Sequence, residues 1–292
     1  MITPNGRLLH LEAGDYRATV TTVGATLASL TWRGRDLVHP LEVGALPRAY
    51  EGKVLAPWPN RIRDGRWTRE GVALQVPITE VATGNALHGL VSWLEWDAGT
   101  LAPGLVSLHA TLAAQPGYPF GLGLEVRYAL TADGLDWTIS AVNDGAEPAP
   151  VGLGFHPYLT VGGGPIDELT LSFAPDLVLP VDERGLPADR LSAAGTEYDF
   201  TEPRRLAGVT IDAPYRMAGP WAARLLADDG AGVELSSTSR WSHLYTGELL
   251  ERRALAVEPT TCPPDAFNSG EDLDVLAPGQ AVALTCRIAA VG

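Results

Sequence analysis

The stretch Leu124-Glu125-Val126-Arg127-Tyr128-Ala129-Leu130-Thr131-Ala132-Asp133-Gly134-Leu135-Asp136-Trp137-Thr138-Ile139-Ser140-Ala141 decides the fold. Leu124, Val126, Tyr128 and Leu130 share one parity before Ala132-Asp133-Gly134, and Leu135, Trp137, Ile139 and Ala141 share one after it. Glu125, Arg127, Thr138 and Ser140 take the other parity. Successive strand side chains point to opposite faces, so this period of two predicts an antiparallel hairpin with one buried face. Similar alternation at 16–20, 105–112, 169–173 and 282–288 predicts more strands. No stretch of about twelve residues free of Gly and Pro carries apolar residues at helical spacing. The 32 glycines and 23 prolines are spread evenly and read as many turns rather than one linker. The expected fold class is therefore all-β and antiparallel, a sandwich or a barrel. With no break in composition and no internal repeat, a single domain is expected over residues 1–292.

The composition, 46% hydrophobic and 19% charged, is that of a globular chain long enough to build its core without disulfides. Lys plus Arg is 21 and Asp plus Glu is 35, a net charge of −14. That balance argues against general nucleic-acid binding and against anionic membrane surfaces, both of which require basic patches. The opening MITPNGRLLHLEAGDY lacks a basic region followed by an apolar one, and no run approaches the ~18 apolar residues of a membrane span. A cytoplasmic protein is expected. Cys262 and Cys286 are the two cysteines, and two reduced thiols are preferred to a disulfide. No Cys/His cluster has zinc spacing, and Gly162-Gly163-Gly164 lacks a phosphate-cradling context, so neither metal nor nucleotide cofactor is expected.

Four polar segments stand out. Asn60 and Arg61 follow the rigid Pro57-Trp58-Pro59, which suits a fixed guanidinium fork for oxygen ligands. His88 lies in Gly84-Asn85-Ala86-Leu87-His88-Gly89, and His156 in Gly154-Phe155-His156-Pro157-Tyr158. Glycine beside a histidine permits close approach, and a following proline favours an extended histidine. Glu258 ends the apolar run Ala254-Leu255-Ala256-Val257 directly before Pro259. A carboxylate there is costly unless partnered, which marks it as a functional candidate. A carboxylate, two imidazoles, a guanidinium and an amide from separate parts of an all-β chain fit a neutral polyhydroxylated substrate. Trp58, Trp93 and Trp241 are either core residues or a stacking floor for a sugar.

The order of these segments resembles the aldose 1-epimerase (galactose mutarotase) family. The matching pieces are Asn60-Arg61-Ile62 with Gly65, Leu87-His88-Gly89, Phe155-His156-Pro157-Tyr158, Leu244-Tyr245-Thr246-Gly247, and Glu258-Pro259 leading into Pro264-Asp265-Ala266-Phe267-Asn268. The resemblance implies a large, many-stranded β-sandwich that interconverts the α and β anomers of an aldose. It implies Glu258 as general base and His156 as general acid. His88 and Arg61 would bind sugar and ring oxygens, Asn60 would support Arg61, and Asp212 would bind substrate. The chain has Thr260 and Thr261 where many members carry a glutamine, and its Phe155-His156-Pro157-Tyr158-Leu159 version is similar to a bacterial branch associated with sulfosugar use.

Mutarotation removes a proton from the anomeric hydroxyl while the ring oxygen gains one, so a carboxylate and an imidazolium serve it together. A neighbouring carboxylate is expected to keep His156 protonated. The partner is then a small sugar bound by a monomer or homodimer. Alternative readings are a mutarotase for an anionic sugar, suggested by the local cluster Lys53, Arg61, Arg63 and Arg66, and a non-catalytic sugar sensor. Glycoside hydrolysis is disfavoured because it usually needs two carboxylates.

Overall fold

The computed structural model describes residues 3–292. Its centre is the hairpin read from the sequence, strands Leu122–Thr131 and Gly134–Asn143 in register from Leu122↔Asn143 to Thr131↔Gly134. Gly134 therefore closes the ladder, and Ala132-Asp133 alone make the turn. The apolar parity is buried throughout, and Glu125 and Arg127 are exposed.

Seven more antiparallel strands extend this pair into a nine-stranded sheet. Leu105–Leu112 and Asp97–Ala102 lie on one side. Ala281–Val291, Gly232–Ser237, Trp221–Leu226, Thr170–Phe173 and Phe200–Arg205 lie on the other. A second, eight-stranded sheet carries Asp212–Arg216, Trp241–Tyr245, Leu255–Thr260, Gly154–Phe155 and Val54–Leu55 in that spatial order. The two sheets share one hydrophobic core. Trp137 of the first stacks on Phe155 of the second with ring centroids 4.2 Å apart, and Phe173 meets Tyr215 edge-on at 5.3 Å. The architecture is thus a large antiparallel β-sandwich. Helix is confined to short turns such as Ala266–Ser269. No helix among the described residues is long and apolar enough to cross a membrane. Cys262 and Cys286 are free and buried.

All six residues of Leu255–Thr260 are buried because both faces of this central strand are covered. Val257 pairs with Leu244 and faces the core, so Glu258 must face the other way. Proline is unusual in a central strand because it cannot donate to the ladder. Val257 and Thr261 N–H donate to Pro157 and Leu153 carbonyls at 3.2 and 2.9 Å. Pro259 lies midway between them and has no N–H to give. The facing chain is accordingly split into Gly154–Phe155 and Tyr158–Leu159, with His156 in the gap.

Candidate active site

The outer face of the eight-stranded sheet is the floor of a cavity of about 390 Å³. The six residues expected to carry catalysis or sugar binding all reach it: Asn60, Arg61, His88, His156, Asp212 and Glu258. Strand register explains the convergence. Gly154↔Thr260 and Tyr158↔Ala256 set His156 opposite Glu258, and on the other side His243 pairs directly with Glu258. Asp212 begins the next strand, opposite Tyr245. His156, Glu258 and His243 thus form one row across neighbouring strands, with Asp212 two residues along the next strand.

His156 Nε2 lies 3.4 Å from Glu258 Oε1, and both side chains are almost wholly buried. His156 Nδ1 and Glu258 Oε2 have no hydrogen-bond partner among the described residues. Burial pushes Glu258 up to about 7 and His156 down to about 3. The expectation of an imidazolium at His156 is therefore reversed. Burial disfavours the carboxylate and the imidazolium alike, and it is the largest cause of both shifts. Of the two groups, the carboxyl is therefore the one that holds a proton more readily as pH falls below neutrality.

His88 and Asn60 hold each other. The Asn60 N–H donates to His88 Nδ1 at 3.1 Å, and the His88 N–H donates to the Asn60 carbonyl at 2.8 Å. Both residues have left-handed backbones, with φ of 59° and 55°. Gly89 follows at φ 78°, and any side chain there would strike the Ala56 carbonyl. Because Nδ1 accepts, the proton of neutral His88 is on Nε2. Burial, followed by repulsion from His156 and Arg61, holds His88 well below the ordinary histidine range. Ring nitrogens of His88 and His156 and a Glu258 oxygen come within 4.8 Å of one another, a span a metal could bridge. The donor set does not suit one, because one His88 nitrogen receives an N–H and the other carries the proton.

Arg61 is tied chiefly to Glu80, with Nε and Nη2 donating to the two carboxylate oxygens at 2.8 and 2.7 Å. Burial alone would weaken the charges, but this bidentate pair raises Arg61 and lowers Glu80. The support expected from Asn60 is the weaker bond, from Arg61 Nη1 to Asn60 Oδ1 at 3.4 Å. The turn that holds Gly185 packs against the Arg61 guanidinium. The Gly185 carbonyl accepts from Arg61 at 3.4 Å, and a Cβ at Gly185 would fall 2.5 Å from the guanidinium carbon. Arg184 pins this turn by donating to Asp64 and Asn85 at 2.7 and 3.0 Å.

The aromatic surroundings are tyrosines. His156 lies between near-parallel Tyr158 and Tyr50 rings, at 5.0 and 6.5 Å, and His88 meets its edge at 5.0 Å. Trp58 and Trp241 are core residues. Trp93 is 48% exposed but packs beside Tyr50 and over the Lys53 ammonium, outside the cavity lining. The basic cluster seen in the sequence is dispersed. Lys53 is buried and donates to the Val23 carbonyl, Arg63 faces Asp265, and Arg66 donates to Gln75.

Arg48, Tyr50, Glu80 and His243 are polar cavity residues that sequence reasoning passed over. His243 was legible in part. Trp241, His243 and Tyr245 share one parity against Leu244, and a histidine inside a buried strand needs partners. Its partners are Asp212, whose Oδ1 lies 2.6 Å from Nε2, and Asn60, whose Nδ2 lies 3.4 Å from Nδ1. Burial would raise Asp212, but its hydrogen bond with His243 is the chief cause that holds it below the usual carboxylate value.

Comparison with known proteins gives the family and the fold. The aldose 1-epimerase family profile matches residues 7–289. The chain is 40% identical over 279 residues to the uncharacterized protein YihR of Escherichia coli K12, covering 94% of this chain and 91% of that one. It is 30% identical over 236 residues to an aldose 1-epimerase of the same organism, covering 77% and 64%. Among solved structures, a GalM/aldose epimerase homologue from C. elegans superposes with a TM-score of 0.87 at 21% identity, over 97% of this chain and 98% of that one. A galactose 1-epimerase from Lactobacillus acidophilus gives 0.82 at 22% identity, over 96% and 93%. The family profile spans nearly the whole chain, and the β-sandwich is the fold its solved relatives share: the chain belongs to the aldose 1-epimerase family.

Proposed function

We propose that the protein is a mutarotase that interconverts the α and β anomers of a free aldose, with Glu258 as general base and His156 as general acid. The observation that carries this reading is the buried pair itself, two oppositely shifted groups 3.4 Å apart. Ring opening requires one group that takes the proton of the anomeric hydroxyl and one that gives a proton to the ring oxygen. A pair with a single proton does both once that proton crosses from Glu258 to His156. Sugar hydroxyls entering the cavity favour the crossing, because they hydrogen-bond the carboxylate that forms. After C1 turns, the two groups exchange roles and the ring closes on the other face. Each should contribute roughly 10²–10⁴-fold. His88 Nε2–H and Arg61 serve as donors to sugar oxygens, and Asp212 accepts from a hydroxyl.

The identity of the aldose rests on the cavity rather than on the relatives. An anionic sugar, such as a hexose 6-phosphate or a sulfosugar, is a second reading with one observation in its favour. The exposed Arg48 lines the same cavity and forms no ion pair among the described residues, whereas Arg61 is neutralised by Glu80. Exchange spectroscopy on neutral and anionic aldoses separates the two. Faster anomer exchange of neutral sugars alone supports the first. Exchange confined to anionic sugars and lost in Arg48→Ala supports the second. Binding without exchange would leave a sugar sensor.

A further inference from the structure

His243 has no role in the proton transfer described above, yet it lies beside Glu258 in the row of cavity residues. Its hydrogen bonds have a fixed polarity. Arg61 can only donate, so the Asn60 oxygen facing it accepts. The Asn60 amide nitrogen must then donate to His243 Nδ1. That puts the ring proton on Nε2, which donates to Asp212 Oδ1 at 2.6 Å. A directed chain thus runs from Arg61 through Asn60 and His243 to Asp212. Its two ends differ in freedom. The His243 side chain is 4% exposed, while that of Asp212 is 44% exposed at the first position of its strand. A short bond to a buried ring holds one carboxylate oxygen, and Asp212 still lines the cavity.

We propose that His243 is a positioning residue. It fixes Asp212 as acceptor for a sugar hydroxyl and ties that acceptor to the Asn60-Arg61 segment at a set distance from the acid/base pair. This rests on the mutarotase reading, in which Asp212 binds substrate. It assigns His243 to substrate affinity rather than to chemistry.

The test is a double-mutant cycle on His243 and Asp212, with KM and kcat for anomer exchange measured by NMR on the folded full-length chain. His243→Leu removes both bonds and should raise KM about ten- to hundredfold, the loss expected for a hydrogen bond to a charged group, with kcat changed less than about threefold. His243→Gln offers an amide acceptor to Asn60 and an amide donor to Asp212, and should recover most of the affinity. In an Asp212→Ala background, His243→Leu should add nothing further to KM. A purely structural role would lower activity in both backgrounds. An unchanged KM in His243→Leu, or additive losses in the cycle, would overturn the proposal. If wild type accelerated no aldose, the mutarotase reading would fall first and this inference with it; an active wild type with an indifferent His243→Leu sinks the inference alone.

Discussion

Replacing Glu258 by glutamine should remove activity and, above neutral pH, make the protein more stable. Burial raises the Glu258 carboxyl from 4.5 to about 7, so the folded state holds its proton more tightly than the unfolded chain. The sign follows from linkage. The folded state is not penalised below about pH 4.5, where both states are protonated. It is penalised increasingly as pH rises through the window up to about 7, and by a constant amount above it. A shift of about 2.5 units at ~1.4 kcal/mol per unit is about 3 kcal/mol. Glutamine is nearly isosteric and uncharged, so Glu258→Gln lacks this penalty. Its stability relative to wild type should be near zero at about pH 4.5 and reach about 3 kcal/mol in its favour at about pH 9. Urea unfolding at several pH values measures the difference, in which other titrating groups such as Lys53 largely cancel. Activity should fall roughly 10²–10⁴-fold in the same variant. A stability difference that stays flat from pH 4.5 to pH 9 would refute the claim that burial drives the shift.

The pH profile gives a second expectation. The pair needs its one proton, so kcat/KM should be level below neutrality and fall above about pH 7 as that proton is lost; a profile that climbs steadily to pH 9 contradicts the shared-proton scheme. His156→Asn should lower kcat roughly 10²–10⁴-fold while the protein stays folded by circular dichroism, and a wild-type rate would displace His156 from its role. Gly185→Ala should raise KM and destabilise the chain by about 1–3 kcal/mol, because φ is 71° and the new methyl meets the Arg61 guanidinium; an unaffected KM would show that the turn does not hold Arg61. Chelators should leave the rate unchanged, since neither nitrogen of His88 offers a lone pair to a metal; activity lost to EDTA and restored by a divalent ion would contradict this.

Much of the site was legible because its residues interrupt strand patterns. Glu258 before Pro259 is a charge in an otherwise apolar run, and the strand proved to be covered on both faces. The hairpin from Leu122 to Asn143 was legible from parity alone, which a one-residue slip would have inverted. Glu80 and Tyr50 were not legible. Both lie in irregular segments, where no periodicity says which way a side chain points. His243 was half legible, since its parity marks a face but the register that brings Asn60 and Asp212 to it spans three distant segments. The protonation of His156 was misjudged for a physical reason. The sequence placed a carboxylate near the imidazole without revealing that both would be almost fully buried, and burial reverses the sign of the shift. Tryptophan likewise signalled a sugar platform by its chemistry, while packing gave the place beside His156 to Tyr50 and Tyr158.

The most direct test of the mutarotase reading is two-dimensional NMR exchange between the anomers of equilibrated aldoses, with and without the protein. The panel holds glucose, galactose, xylose, arabinose, glucose-6-phosphate and sulfoquinovose, and Glu258→Gln runs beside wild type. The expected result is α/β exchange of at least one sugar accelerated by wild type and lost in Glu258→Gln. Exchange at the uncatalysed rate for every sugar, from a folded protein that binds one of them, would contradict the proposed activity.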